Sequence, residues 1–292
     1  MINLNRLSMF VAVVDAGSFT AAADALGTTK AVVSFNVKQL EQELGVALLT
    51  RSTRRLALTE AGEGFYGDCA RLLRDADAAV DQARSGQLTL SGSLRVTASV
   101  DYGNRIVAPA LAAFARQHPA LRVSYQAGSA HADLIGERLD VAIRVGALAD
   151  STYRATPIGE FKLLLVASPA LLAEQGTPRS LAALAAMPWL ANRPGRSDQW
   201  RLMDSKGREH TLRVSPVAHA DTASALLAFA EGGCGVAALP DWLVEEPLAR
   251  GALQRVMPSY ALPPQPVYAV YADTRHVSAK VRRFIDFLRT GT

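Results

Sequence analysis

Cysteine is scarce in this 292-residue chain: Cys69 and Cys234 stand alone and far apart, which excludes a disulfide framework and a Cys-x-x-Cys metal or redox pair. A chain so poor in thiols suits a reducing compartment, and the cytoplasm is the expected location. Long apolar runs are missing too. No uninterrupted stretch approaches the ~20 residues that span a bilayer, and the N-terminal "MFVAVV" is cut short by Asp15 with no small-residue cleavage site after it. A membrane is therefore not an expected partner. The chain also lacks a G-x-S-x-G elbow, a P-loop and an H-E-x-x-H helix, and its five histidines (118, 131, 210, 219 and 276) are scattered without ligand spacing. Catalysis, a metal and a cofactor are not expected.

What is present is ample for packed cores. Hydrophobic residues make up 49% of the chain, and the length suits roughly two domains. The net charge of +4 and a pI near 9.2 permit an anionic partner without demanding one.

The first 58 residues read as short helices. Leu7, Phe10, Val11 and Val14 share one helical face, which Gly17 ends. Ser18 caps a second helix carrying Ala21, Ala22, Ala25 and Leu26, whose small side chains admit a close neighbour; it stops at Gly27. Thr28 or Thr29 caps a third, in which Val33, Val37, Leu40 and Leu44 form the packing face. That leaves Thr29, Lys30, Ala31, Ser34, Phe35 and Lys38 on other faces. Two helices across a Gly-containing turn, the second apolar behind and polar in front, match the unit that delivers a helix into the major groove of DNA. The pattern alone fits a small bundle with a solvated face equally well. "LLTRSTRRLALT" then reads as two short strands around Arg51, Arg54 and Arg55, a basic hairpin suited to phosphates. Six basic groups against four acidic ones make this segment locally positive.

Gly17-Ser18-Phe19, Ala21-Ala22-Ala23, Val33-Ser34, Leu40-Glu41, Leu44-Gly45 and Leu58-Thr59-Glu60-Ala61-Gly62 together resemble the winged helix-turn-helix of LysR-type transcriptional regulators. The rest of the chain has the length and order of that family's effector domain, so the resemblance covers essentially the whole protein. It implies a two-lobed α/β effector domain, similar to periplasmic binding proteins, preceded by an all-α winged helix-turn-helix and a long linker helix. The resemblance further implies double-stranded DNA and a small-molecule effector as partners, assembly as a homodimer or homotetramer, and RNA polymerase as a further contact. Two positions depart from the common pattern: Phe35 stands where the family often has Arg, and Lys30 where Gln is frequent. Phe35 cannot hydrogen-bond a base edge but fits a thymine methyl, whereas Lys30 can approach guanine or a phosphate.

Residues 62–67 satisfy G-x-G-x-x-G, yet no strand precedes them and Thr59 already caps a helix there, so the dinucleotide reading fails. The helix runs to about Ser85. Its Phe65, Cys69, Leu72, Ala76, Ala79 and Ala83 follow heptad spacing, a seam for either a neighbouring core or a second chain; the resemblance favours a dimerising linker. Cys69 on that seam reads as a packed thiol. The expected division is a winged helix-turn-helix in 1–58, a linker and hinge in 59–91, and an effector domain in 92–292, with lobes 92–161 plus 266–292 and 162–265.

In that domain "LRVTAS", "LRVSYQ" and "DVAIRVG" read as strands alternating with helices at "NRIVAPALAAFARQ" and "HADLIGER", and a second unit runs from "FKLLLVAS" to "ALQRV". "PVYAVYA" and "SAKVRRFIDFLRT" then return to the first. Two crossings predict a cleft, and ligands sit outside the carboxyl ends of such strands, at helix N-termini. The rule nominates Ser99, Val100, Asp101 and Tyr102, then Gly128 and Ser129, and Arg144 with Val145. In the other lobe it nominates Asn192, Arg193, Asp221 and Thr222. Asp101 and Asp221 fit equally well as helix caps. Arg144 and Arg193 suit an organic acid, while the two aspartates suit an uncharged or amine-bearing metabolite. The competing function is a small-molecule-binding protein without a regulatory role, which leaves the first 85 residues unexplained.

Overall fold

The computed structural model describes residues 3–51, 56–83, 90–128, 134, 139–148, 153–192, 198–272 and 277–291, the side chains of 51, 74, 77, 78 and 81–83 excepted. Three helices, α1 (Leu4–Ala16), α2 (Phe19–Leu26) and α3 (Lys30–Leu44), precede a hairpin of β1 (Leu49–Arg51) and β2 (Leu56–Leu58). Side-chain caps start them all: Asn3 accepts from Asn5 N, Ser18 from Ala21 N and Thr29 from Val32 N. Gly17, Gly27 and Gly45, with positive φ, end them.

Their core departs from the sequence expectation in two places. On α1 it is Leu7, Phe10 and Val13 that are buried, with Val11 and Val14 half-buried, because α1 packs against α2, α3 and the next helix at once. On α2, Ala22 and Ala23 face inward, while Ala21, Ala25 and Leu26 are exposed. Val33, Val37 and Leu40 are fully buried and Leu44 half-buried, the face predicted for α3.

Helix α4 (Glu60–Ala83) is the long linker. Its first half belongs to the N-terminal core: Tyr66, Cys69 and Ala70 are buried there, and the rings of Phe65 and Tyr66 lie 5.9 and 6.4 Å from that of Phe10. This corrects part of the predicted seam. Phe65 and Cys69 pack within their own chain, since heptad spacing serves an intramolecular helix pair as well as a coiled coil. Gly62, the first glycine of the misleading motif, has a plain packing role: a Cβ there would stand 2.1 Å from the Leu48 carbonyl oxygen.

The remaining chain forms two lobes. In the first, β3 (Gly92–Ala98) leads into a helix built of α5 (Val100–Tyr102), a π-helical turn at Gly103–Val107 and α6 (Ala108–Gln117), followed by β4 (Leu121–Ala127), β5 (Val141–Val145) and β6 (Tyr153–Phe161). The "HADLIGER" helix lies outside the described residues apart from the buried Leu134. The second lobe holds β7 (Leu163–Ala167), α7 (Pro169–Gln175), α8 (Leu181–Ala185), β8 (Trp189–Ala191), β9 (Gln199–Asp204), β10 (Glu209–Arg213), β11 (Pro216–His219), α9 (Ala223–Glu231), β12 (Ala237–Pro240), α10 (Asp241–Ala249), β13 (Gln254–Arg255) and β14 (Tyr260–Ala261). Then β15 (Gln265–Ala272) and α11 (Ala279–Gly291) return to the first lobe.

The first sheet runs β4-β3-β5-β15-β6, with β3 parallel to β4 and β5 and β15 antiparallel to both its neighbours. Its core gathers Leu94, Val96, Val107, Phe114, Ile143 and Phe284. In the second lobe β8 pairs with β11, β7 pairs with β12 and β13, and a parallel bridge from Trp189 to Val236 joins the two groups. The three-stranded sheet β10-β9-β14 beside them was not expected from the sequence. This is the two-lobed α/β architecture predicted, crossed at Lys162 and again between β14 and β15. Among the described residues no helix is long and apolar enough to cross a membrane.

Candidate nucleic-acid interface and effector cleft

Helix α3 presents its outer face through a short chain of local bonds. Thr28 N donates to Ala23 O across the turn, and the Thr29 hydroxyl accepts from Val32 N at 3.4 Å. Lys30, Ala31 and Lys38 are exposed, Ser34 is half-buried, and Phe35 is 60% exposed. Ser18 is occupied as the α2 cap. At the far end of α3, the Glu41 carboxylate accepts from Leu48 N (2.8 Å) and Leu49 N (3.1 Å), and the Thr59 hydroxyl donates to Ala47 O (2.7 Å). Glu41 thereby fixes where the hairpin leaves the helix. Sequence reasoning used Glu41 only as part of a motif; its distance of seven and eight residues from its partners hid the bond. Arg51 closes β1, its side chain lying outside the described residues, as do Arg54 and Arg55.

The seam residues beyond the N-terminal core behave differently from Phe65 and Cys69. Leu72 is 47% exposed, as is Val80, which is not a seam position; Ala79 is exposed and Ala76 half-buried, and the Ala83 side chain lies outside the described residues. Burial, and next to it the charge of Asp68, pushes the Cys69 thiol up to about 11, which keeps it protonated and inert.

In the two-lobed unit the strand-end rule brings several nominated residues together and displaces others. Ser99 follows β3 and its N–H donates to Ile143 O, while Gly128 N donates to Ala98 O. Val100 is 38% exposed. Tyr102 is buried, its phenol pushed up by desolvation, and stacks on Phe161 at 6.0 Å with Trp242 edge-on at 5.8 Å. These three rings join the first lobe, the first crossing and α10. Lys162 N donates to the Asp241 carboxylate (3.3 Å) and Asp241 N to Lys162 O (2.9 Å), so α10 grips that crossing. Gly103 sits where a Cβ would meet the Tyr125 hydroxyl at 2.2 Å, and that hydroxyl donates to Asn104 Oδ1.

Two nominations need correction. Arg144 does not stand free at a strand end: it lies within β5, buried to 5% exposure, with Val145 half-buried after it. The cap of α9 is Thr222, whose hydroxyl accepts from Ala225 N, while Asp221 is exposed beside it. Asn192 is exposed after β8; Arg193 and Ser129 lie outside the described residues.

Asp101 does act as a cap, but for a helix of the other lobe. Its carboxylate accepts from Ala223 N at 2.6 Å and Ser224 N at 3.3 Å. With Thr222 on Ala225 N, the first three N–H groups of α9 are all occupied. The helix N-terminus that an anionic ligand would use already holds a carboxylate.

The comparisons with known proteins fall on both parts. A family model described as "Bacterial regulatory helix-turn-helix protein, lysR family" matches residues 4–63, and one described as "LysR substrate binding domain" matches 88–292. The chain is 38% identical over 291 residues to the HTH-type transcriptional regulator PtxR of Pseudomonas aeruginosa, covering 99% of this chain and 92% of that protein. It is 34% identical to the transcriptional regulator CrgA of Neisseria meningitidis, covering 98% and 96%. The solved structure of CrgA from that organism superposes with a TM-score of 0.61 at 33% identity, covering 99% of both chains. Full-length AphB, a virulence activator of Vibrio cholerae, gives 0.60 at 30% identity, covering 98% of each. A helix-turn-helix reader, a linker and a two-lobed effector-binding domain, matched over nearly their whole length, place the chain in the LysR family of DNA-binding transcriptional regulators.

Proposed function

We propose that the chain regulates transcription as a dimer, at least, joined along the second half of α4. The observation that carries this is the division of that helix. Its first half is absorbed by its own core, while Leu72 and Val80 remain 47% exposed on a helix that leads out of it. Two copies joined there present two α3 helices and two hairpins to one duplex, with the α3 face of Lys30, Ser34, Phe35 and Lys38 toward the major groove and Arg51, Arg54 and Arg55 toward phosphates. Such work belongs in the compartment that holds the chromosome, and RNA polymerase is the enzyme whose access a bound dimer alters. The function is binding rather than catalysis, as the relatives' names suggest.

The effector site of this reading is the cleft beside Asp101, with Ser99, Val100, Gly128, Asn192 and Thr222 around it. Because Asp101 occupies the α9 N-terminus and Asp221 stands next to it, an uncharged or amine-bearing metabolite fits without displacing a protein carboxylate; an organic acid must compete with one.

Leu72→Asp tests the assembly. An unpaired charge in a dry seam costs several kcal/mol, so sedimentation of the variant shows smaller species and its footprint on DNA shortens. A folded variant that keeps the parental assembly and footprint refutes the α4 interface.

A further inference from the structure

The outer face of α3 is unusual for a surface meant to read hydrogen-bonding bases. Phe35 is 60% exposed and Val32 42%, and the exposed Ala31 lies beside them, forming an apolar patch on one side of the helix. The polar side chains nearby are engaged within the helix. The Asn36 amide donates to Val32 O at 2.9 Å, and the Gln39 amide donates to Gln42 Oε1 at 2.9 Å. The Thr29 hydroxyl serves as the cap. Exposed Lys30 and Lys38 flank the patch.

Base edges in the major groove display donors, acceptors and one apolar group, the C5-methyl of thymine. The amides of Asn36 and Gln39, which could read adenine, are already bonded within the helix, and the apolar side chains left outermost, Phe35 and Val32, can recognise only the methyl. We infer that Phe35 and Val32 are the specificity-determining residues of this regulator, packing against thymine methyl groups, with Lys30 and Lys38 on the flanking phosphates. The inference rests on α3 being the DNA-reading helix. Side chains at i and i+3 stand about 5–6 Å apart, against about 3.4 Å between stacked base pairs, so the patch covers two neighbouring base pairs. Each half-site then carries one or two thymines whose methyl groups matter more than their hydrogen bonds.

Duplexes selected by the full-length protein from a randomised pool provide the operator. Each thymine in it is then replaced singly by deoxyuridine, which removes the methyl and leaves every hydrogen-bonding group in place. One lost methyl contact weakens binding about fourfold, the equivalent of about 0.8 kcal/mol for a buried methyl, at one or two positions per half-site. Phe35→Ala abolishes the uracil effect at one of them, Phe35→Leu retains part of it, and Val32→Ala abolishes the other. Both alanine variants keep the parental salt slope, because neither removes a charge that meets a phosphate. An operator insensitive to uracil at every thymine, or sensitivity that survives both alanine variants, overturns the inference. Failure of the parent protein to bind any duplex in a salt-dependent way overturns the DNA-reading assignment itself, a result distinct from normal binding without methyl preference.

Discussion

Helices α3 and α9 both begin at a threonine cap, but the two halves of the molecule hold them by different means. The groups that start α3, end it and place its hairpin come from nearby chain: Thr29 starts it, Gly45 ends it, and its own Glu41 sets the departure of the hairpin seven and eight residues on, while Arg6 of α1 pairs with Glu43 inside the same unit. The start of α9 depends in addition on Asp101, 122 residues away in the other lobe. The crossing between the lobes is likewise held at long range, by Lys162 and Asp241, 79 residues apart. The bonds that shape α3 thus lie within the reader, which meets the first lobe through the Asp15–Arg95 ion pair at 3.6 Å, while the start of α9 is conditional on the position of its lobes. A ligand shifts a conformational balance only through contacts that differ between states. Asp101 supplies such a contact, and its loss leaves the bonds that shape α3 untouched.

The largest effect is expected on the side of the reader. Glu41→Ala strands the N–H groups of the buried Leu48 and Leu49, and unpaired buried donors cost about 1 to 3 kcal/mol each. A loss of about 3 kcal/mol in the N-terminal unit is expected. Hydrogen exchange speeds up through α3 and the hairpin, DNA affinity falls, and the protection of α9 and the lobe sheets stays unchanged. Loss of protection in the lobes as well shows that the Asp15–Arg95 contact couples the two regions into one unit.

From the conditional side, Asp101→Ala removes a carboxylate from a helix N-terminus and two charge-assisted bonds between lobes, about 2 kcal/mol together. The amides of Ala223 and Ser224 then exchange faster, and small-angle scattering reports a larger radius of gyration as the lobes part. Exchange in α3 does not change. Asp101→Asn retains an acceptor and falls between. A variant with unaltered scattering and unaltered α9 exchange shows that the lobes are held without Asp101.

The same contrast governs what could be read from the sequence. The packing face of α3 follows from spacing within one helix, so it was legible, as were the stops at Gly17 and Gly27. The face of α1 was legible only in part, since three neighbours widen it to include Val13. The heptad series runs along one face of α4, but no local signal separates Phe65 and Cys69, which join the N-terminal core, from Leu72, which is left 47% exposed. Asp101 is legible as a cap from its residue type alone, but the helix it caps is not, because its partner lies across the cleft. The hairpin of β9 and β10 did carry a local signal that went unused: "DSKG", in which Asp204 accepts from the N–H groups of Lys206 and Arg208 and Gly207 takes a positive φ.

The two cysteines offer a finer probe of this contrast, one in each region. Cys69 is buried in the N-terminal core with its thiol raised from the ordinary 9.0 to about 11, whereas Cys234 is exposed after α9. The thiolate is the reacting form, so at pH 8 about one Cys69 in a thousand is ionised, against about one in ten at the ordinary value. Iodoacetamide therefore labels Cys234 in the native protein and leaves Cys69 until the N-terminal unit opens. The unfolded chain releases this proton at lower pH than the folded one, so the contribution of Cys69 to stability is full below pH 9 and declines as pH rises toward 11. Glu41→Ala accelerates labelling of Cys69 and leaves Cys234 unchanged; Asp101→Ala leaves Cys69 protected. Faster labelling of Cys69 in the Asp101 variant would show that parting the lobes loosens the reader, and the two regions would then have to be treated as one cooperative unit.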